Sequence, residues 1–446
     1  MHHATSPVAT PAAHDHRNRR PGRLWRALAV AIVVPLALGT AACGDDEPAA
    51  PNAPVTLSMF FWGGETRAKL TEDALKLYTA AHPNVTVKTT WQANQGYFDK
   101  LATLTAGNDA PDIFQIDDNY LTEYAGRATL DLSSFQSNGK LDTSKFPESL
   151  WKYGVVDGKL SGVAFGENTP GMVYNKAKVT ALGIEEPQTG WTWEKLITWA
   201  TDATTKAGGK YYGTMDPSAD YKAFWMWIRQ QGKQLYNGSE LGFAKEDLAR
   251  WFDLWKGARD AKAAPPADII NVANGGDVTK QLVVTGQALT SFMWANQMPE
   301  LAKNTKDQLG VVAYPGDPSA QWARASMYLS VFKGSKNADV AVDVINFLVN
   351  DPEAGKVLGT ERGLPSNLDV RTAVAGSVTD ANMKTSIAFE NELTPKFGPA
   401  PPVPPRGHAT VRSELRKAAE SVQYGKATSV QAADAFWAAA TAALSK

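Results

Sequence analysis

Asp117, Asp118 and Asn119 follow the apolar run Ile113 to Ile116, and Glu65 stands three residues after Trp62. Two chemistries use such groups. A pair of carboxyls held at the right separation, one of them kept protonated, cleaves glycosidic bonds. Carboxylates and amides beside tryptophan faces instead hold a carbohydrate intact, because sugar C–H faces stack on rings and hydroxyls pair with planar polar groups. A desolvated hydroxyl without a partner costs about 1–3 kcal/mol, so such partners cluster. Neighbouring residues cannot share a face, so one of Asp117 and Asp118 is expected to meet a ligand and the other solvent; Asn119 is an equal candidate. Trp62 precedes Gly63-Gly64, which would bring the backbone near a ligand. In YKAFWMWIRQQGKQLYN, Trp225 and Trp227 point in different directions on a helix. At least one is expected outside the core, and Trp225 is the stacking candidate.

The chain has fourteen Trp and thirteen Tyr, more than a core usually needs. Signatures of other chemistry are missing: there is no G-x-S-x-G, H-E-x-x-H or Walker A. Of six His, His2, His3 and His14 fall in the first fifteen residues. Neither a metal nor a cofactor is expected. A net charge of −1 gives no electrostatic reason to expect nucleic acid.

The elements that position these residues are legible. Val55, Leu57, Met59 and Phe61 alternate with polar residues, which predicts a strand. A helix follows, with Leu70, Ala74, Leu77, Tyr78 and Ala81 on one face. HPNV stops it, and VTVKTTW reads as a second strand. This is a βαβ unit, so the sheet should be parallel. The short strand Ile113 to Ile116 then emerges into Asp117–Asn119. Ligands gather beyond the carboxyl ends of parallel strands, so Trp62, Glu65 and Asp117–Asn119 point at one edge. Hydrophobic content of 43% and charge of 20% are ordinary globular values. Length suits two domains.

The one cysteine, Cys43, follows a different logic. Arg17, Arg19, Arg20, Arg23 and Arg26 precede the apolar run ALAVAIVVPLAL (27–38), which is shorter than the ~20 residues of a spanning helix. Gly39, Thr40, Ala41 and Ala42 lead into Cys43. The stretch resembles a bacterial lipobox, with Thr40 where leucine is usual. Residues 1–42 then form a signal peptide. The acidic, proline-rich 43–54 form a tether, anchored to the cell membrane through lipidated Cys43. Arg19-Arg20 suggest twin-arginine export, but RRPGRLW lacks the rest of that motif.

Several longer stretches resemble the extracellular solute-binding proteins of ABC importers, in the family that includes maltose-binding proteins. They are LSMFFWGGE, KLYTAAHPNVTVKTTW, APDIFQID, GKLSGVAFGENTPGMVYNK, GWTWEKLITWA, VTGQALTSFMWANQ, NADVAVDVINFLVNDPEAGK and GLPSN. Each is weak alone; their order spans nearly all of Val55 to Lys446. The resemblance implies a two-lobed α/β protein with hinge strands, each lobe a doubly wound, mostly parallel sheet. Residues 55–165 and 328–390 would form lobe one, and 166–327 with 391–446 lobe two. It implies a monomer that closes on a sugar, with a permease as partner. By the same resemblance Glu65 meets ligand, as does Glu167 or Asn168 at the first hinge crossing. Trp294 offers an aromatic platform beside Asn296, Tyr328 marks the second hinge, and Arg362 precedes GLPSN. His408 reads as a loop or cap residue. Aromatic wealth favours a di- or oligosaccharide, and the sequence places too few basic residues near the cleft for a phosphate ligand. The alternative is a secreted hydrolase using a pair among Glu65, Asp117, Asp118 and Glu167; a third reading is a surface lipoprotein without a small ligand.

Overall fold

β1 (Val55–Trp62) is covered on both faces. Leu57, Met59 and Phe61 enter one apolar cluster and Phe60 another, as the two-residue period requires. The computed structural model describes residues 53–274 and 277–445; the expected signal peptide, Cys43 and most of the tether lie outside them. α1 (Glu65–Ala81) buries Ala68, Thr71, Ala74, Leu75 and Tyr78. Leu77, expected inside, is 41% exposed. Both stripes fit helical spacing; the observed one has smaller side chains, which let α1 lie close to the helix Pro352–Leu358.

β2 (Val85–Gln92) pairs in parallel with β1, Val55 opposite Val85. After α2 (Tyr97–Ala106), β3 (Ile113–Ile116) joins the other side of β1, also parallel. β4 (Val163–Glu167) and β5 (Pro170–Asn175) are separated only by Asn168 and Thr169, yet lie in different sheets. This is a crossing between lobes. α3 (Trp193–Lys206), α4 (Tyr221–Arg229) and α5 (Lys245–Asp260) follow, then β6 (Thr290–Trp294) and β7 (Leu309–Val312). β8 (Ala325–Val331) returns to the first sheet. After α6 (Ala338–Asn350), β9 (Leu364–Pro365) closes the edge of that sheet. α7 (Ala381–Leu393), α8 (His408–Gln423) and α9 (Ser429–Leu444) complete the chain.

The first sheet runs β9-β4-β8-β3-β1-β2 and the second β6-β5-β7. Parallel pairing holds for β2-β1-β3. β8 is antiparallel to β3 and β4, and the second sheet is antiparallel throughout. The pairing of β8 with β4 slips between Ala325 and Tyr328, a bulge at the point where the chain changes lobes. α7 spans the expected boundary at 390, and its Phe389 and Leu393 pack with Ala295 and Ala313. In the second lobe Trp193 meets Trp251 and Trp255 edge-on, at 5.2 and 5.9 Å between centroids. α8 and α9 add Val411, Leu415 and Phe436 to the same core.

Candidate functional site

β3 delivers Asp117, Asp118 and Asn119 to the edge facing the second lobe. Asp118 turns inward, buried, and pairs with Arg324, which immediately precedes β8. Asp117 stays half-buried and accepts a hydrogen bond from the Asn119 backbone N–H at 2.9 Å. Desolvation, then the charge of Asp118, push its carboxyl up to about 6, although Arg412 and Arg324 pull it down. Asp117, Phe98, Tyr120 and Arg412 line a cavity of about 280 Å³. There the Phe98 and Tyr120 rings stack at 3.9 Å.

The opposite wall comes from α4, β6 and α8. Asp220 caps α4: its Oδ1 accepts from the Lys222 backbone N–H and from Lys222 Nζ, both at 2.9 Å, and its Oδ2 accepts from Tyr314 OH at 3.0 Å. Burial pushes the Lys222 amine down, against the pull of Asp220. Tyr221, Lys222, Trp294 and Arg412 line a cavity of about 540 Å³. Lys222 Nζ lies 5.0 Å and the Arg324 guanidinium 5.4 Å from the Trp294 ring centre. At least one face of that ring is therefore held by a cation. Arg412 stands 4.3 Å over Tyr221. Arg412 walls both cavities, the smaller one with Asp117 and the larger one with Trp294, and the two together make up the candidate cleft.

Residues 73–385 match the model of the bacterial extracellular solute-binding protein family. The chain belongs to this family. An extracellular solute-binding protein from Alicyclobacillus acidocaldarius is 28% identical with a TM-score of 0.72, covering 88% of this chain and 99% of that one. An oligogalacturonide-binding protein from Yersinia enterocolitica shares the fold at 23% identity and TM-score 0.72, again over 88% and 99%. So does the GacH receptor of Streptomyces glaucescens, solved with acarbose, at 20% and 0.69 over 88% and 99%. Family membership places the protein outside the cytoplasm. Among the described residues no helix is long and apolar enough to cross a membrane.

Within this solute-binding protein, the expected ligand residues divide. Asp117 and Trp294 line the cleft, and Asn296 is half-buried beside Trp294 with its Oδ1 unpartnered. Trp62 packs instead on Tyr97 and Phe98, at 5.3 and 5.6 Å. Glu65 is exposed in the first turn of α1, where its charge suits the helix dipole. Neither lines the cleft.

Four expectations meet a structural reason against direct ligand contact. Glu167 is fully buried, its Oε2 2.7 Å from Arg371 Nη2 and its Oε1 accepting from Thr394. Trp225 is buried against Trp322 at 4.8 Å and borders a separate cavity with Tyr153 and Tyr236, because α4 is sandwiched in the core. Tyr328 is fully buried on the central strand β8. Arg362 is spent inside lobe one: Nη2 donates to Thr71 at 2.8 Å, and the guanidinium lies between Phe61 and Phe165. Gly363 beside it has φ +94, and a Cβ there would stand 2.3 Å from the Glu167 carbonyl oxygen, so only glycine fits. Asn168 is half-buried; its N–H donates to the Arg324 carbonyl at 3.1 Å and its Oδ1 is unpartnered. His408 is fully buried, sharing a 2.6 Å hydrogen bond with Tyr236.

Sequence reasoning missed Arg324, Arg412, Tyr221 and Lys222. One signal was available for Arg412. It stands four residues after His408, on the same helix face.

Proposed function

We propose that the protein captures a di- or oligosaccharide between its two lobes and delivers it to an ABC permease. The observation that carries this is the pair of adjoining cavities walled by Arg412, one with Asp117 of the first lobe and the other with Trp294 and Tyr221 of the second. An aromatic ring and planar polar groups on opposing walls are what a pyranose needs. The Yersinia and Streptomyces neighbours, described with oligogalacturonide and with acarbose, support a sugar ligand.

The hydrolase reading loses its carboxylate pair. Of Glu65, Asp117, Asp118 and Glu167, only Asp117 lines the cleft; Asp118 is committed to Arg324 and Glu167 to Arg371. Titration with maltotriose and related oligosaccharides should lower the radius of gyration in solution scattering, and chromatography should recover the sugar intact. Cleavage products accumulating over many turnovers would reverse the reading in favour of the hydrolase.

Export and anchoring follow from the N-terminal residues, with two acyl-type signals needed for stable attachment. Cys43→Ala should move the protein from the membrane fraction to the soluble one with its melting temperature unchanged. Retention of the variant in the membrane fraction would exclude Cys43 as the anchor.

A further inference from the structure

We infer that the sugar carries an oxyanion, a carboxylate or a phosphate, seated against Arg412. This rests on the solute-binding reading of the same cleft and adds the chemical class of its ligand.

The charges along the cleft are nearly all matched. Arg324 pairs with Asp118, Lys222 with Asp220 at 2.9 Å, and Arg416 with Glu420 at 2.9 Å. Arg412 is the exception. Among the described residues it has no carboxylate partner, and its Nε is removed from water without an acceptor. Asp117, on the wall of the same smaller cavity, makes no hydrogen bond or ion pair with it, although the two charges act on one another through space.

Arg412 is also held for use. Tyr221 supports the guanidinium at 4.3 Å, which leaves the N–H edge as its remaining binding surface. That edge is a planar fork matched to a carboxylate or phosphate. The 540 Å³ cavity it lines contains Trp294 for a sugar ring and Lys222 as a second cation. The structure therefore supplies the basic residues that the sequence, read locally, did not place at a cleft. They come from α4 and α8, far apart in the chain.

Calorimetry on the full dialysed protein tests this with digalacturonic acid, its neutral counterpart galactobiose, glucose 1-phosphate and inorganic phosphate. One acidic sugar should bind at least about tenfold more tightly than galactobiose, and its affinity should fall as salt rises. Arg412→Gln should abolish that advantage, bringing the acidic sugar to within about twofold of galactobiose measured on the same variant, while Arg412→Lys keeps part of it. A melting curve like that of the parent shows that the variant is folded. Which acid is preferred identifies carboxylate or phosphate as the source. Inorganic phosphate binding as tightly as the sugar phosphate, and lost in Arg412→Gln, would support the oxyanion seat and count against the sugar. Galactobiose closing the lobes equally well in parent and Arg412→Gln, with no acid preferred, would overturn the inference and leave solute binding standing. If no probe binds or compacts the protein, the inference and the sugar-capture reading fall together.

Discussion

Arg324→Met is expected to open the lobes and weaken ligand binding by roughly two to three and a half decades. Arg324 ties Asp118 of the first lobe to a position over Tyr221 and Trp294 of the second. Without it, Asp118 is left desolvated beside Asp117. An uncompensated buried charge of this kind costs about 3–5 kcal/mol. Separating the lobes rehydrates Asp118, so the cost should fall on the closed arrangement rather than on folding. At 1.4 kcal/mol per decade, that is roughly two to three and a half decades of affinity. Scattering without ligand should show a larger radius of gyration, and calorimetry the weaker binding. A lower melting temperature with unchanged radius and affinity would reduce the pair to a local support. The effect should also ease in acid. The carboxyl of Asp117 is already raised to about 6 from 3.8, so its contribution to stability is full below 3.8 and lost as pH rises through 6. Removing a nearby cation raises it further.

Arg371→Met should lower folding stability itself, by about 3–5 kcal/mol. Its guanidinium joins Glu167 at 2.7 Å, donates to the Pro365 carbonyl at 3.0 Å, and stands near Glu390. All three side chains are buried. Desolvation, then the charge of Glu167, hold the Glu390 carboxyl well above its usual 4.5. A raised acid stabilises fully below 4.5, and that contribution fades as pH climbs toward the native value. Taking Arg371 away leaves the buried Glu167 charge without its partner, a cost that protonation relieves in acid, so the deficit should be larger at pH 8 than at pH 5. Denaturant unfolding at both pH values checks this. Adding Glu167→Gln to Arg371→Met should recover part of the loss, since it removes the orphaned charge. An equal deficit at both pH values would show that packing, not charge, is the role of Arg371.

Local patterning made the first lobe legible. The alternation in β1, the stop at HPNV and the emergence of Asp117 from an apolar strand are all short-range signals, and the structure keeps them. Misplaced residues share a different property. Glu167 finds its partner 204 positions away and Arg362 reaches Thr71 across 291. Nothing in the neighbouring sequence tells a buried, paired arginine from an exposed one. Tryptophan abundance misled for a related reason. Trp193, Trp225, Trp251 and Trp255 are all fully buried, so much of the aromatic surplus builds the second core rather than a ligand platform. For α1 two stripes satisfied the same period, and tertiary packing chose between them.

The order β9-β4-β8-β3-β1-β2 has a consequence for the newborn chain. β3 must wait for β8 and β4 for β9, so the first sheet stays incomplete until residue 365 has emerged. Pairings this distant in sequence make folding slow, because loop closure precedes any reward from contact. The wiring of the sheet therefore sets an order on assembly, and the first lobe can tighten only after most of the chain has been made.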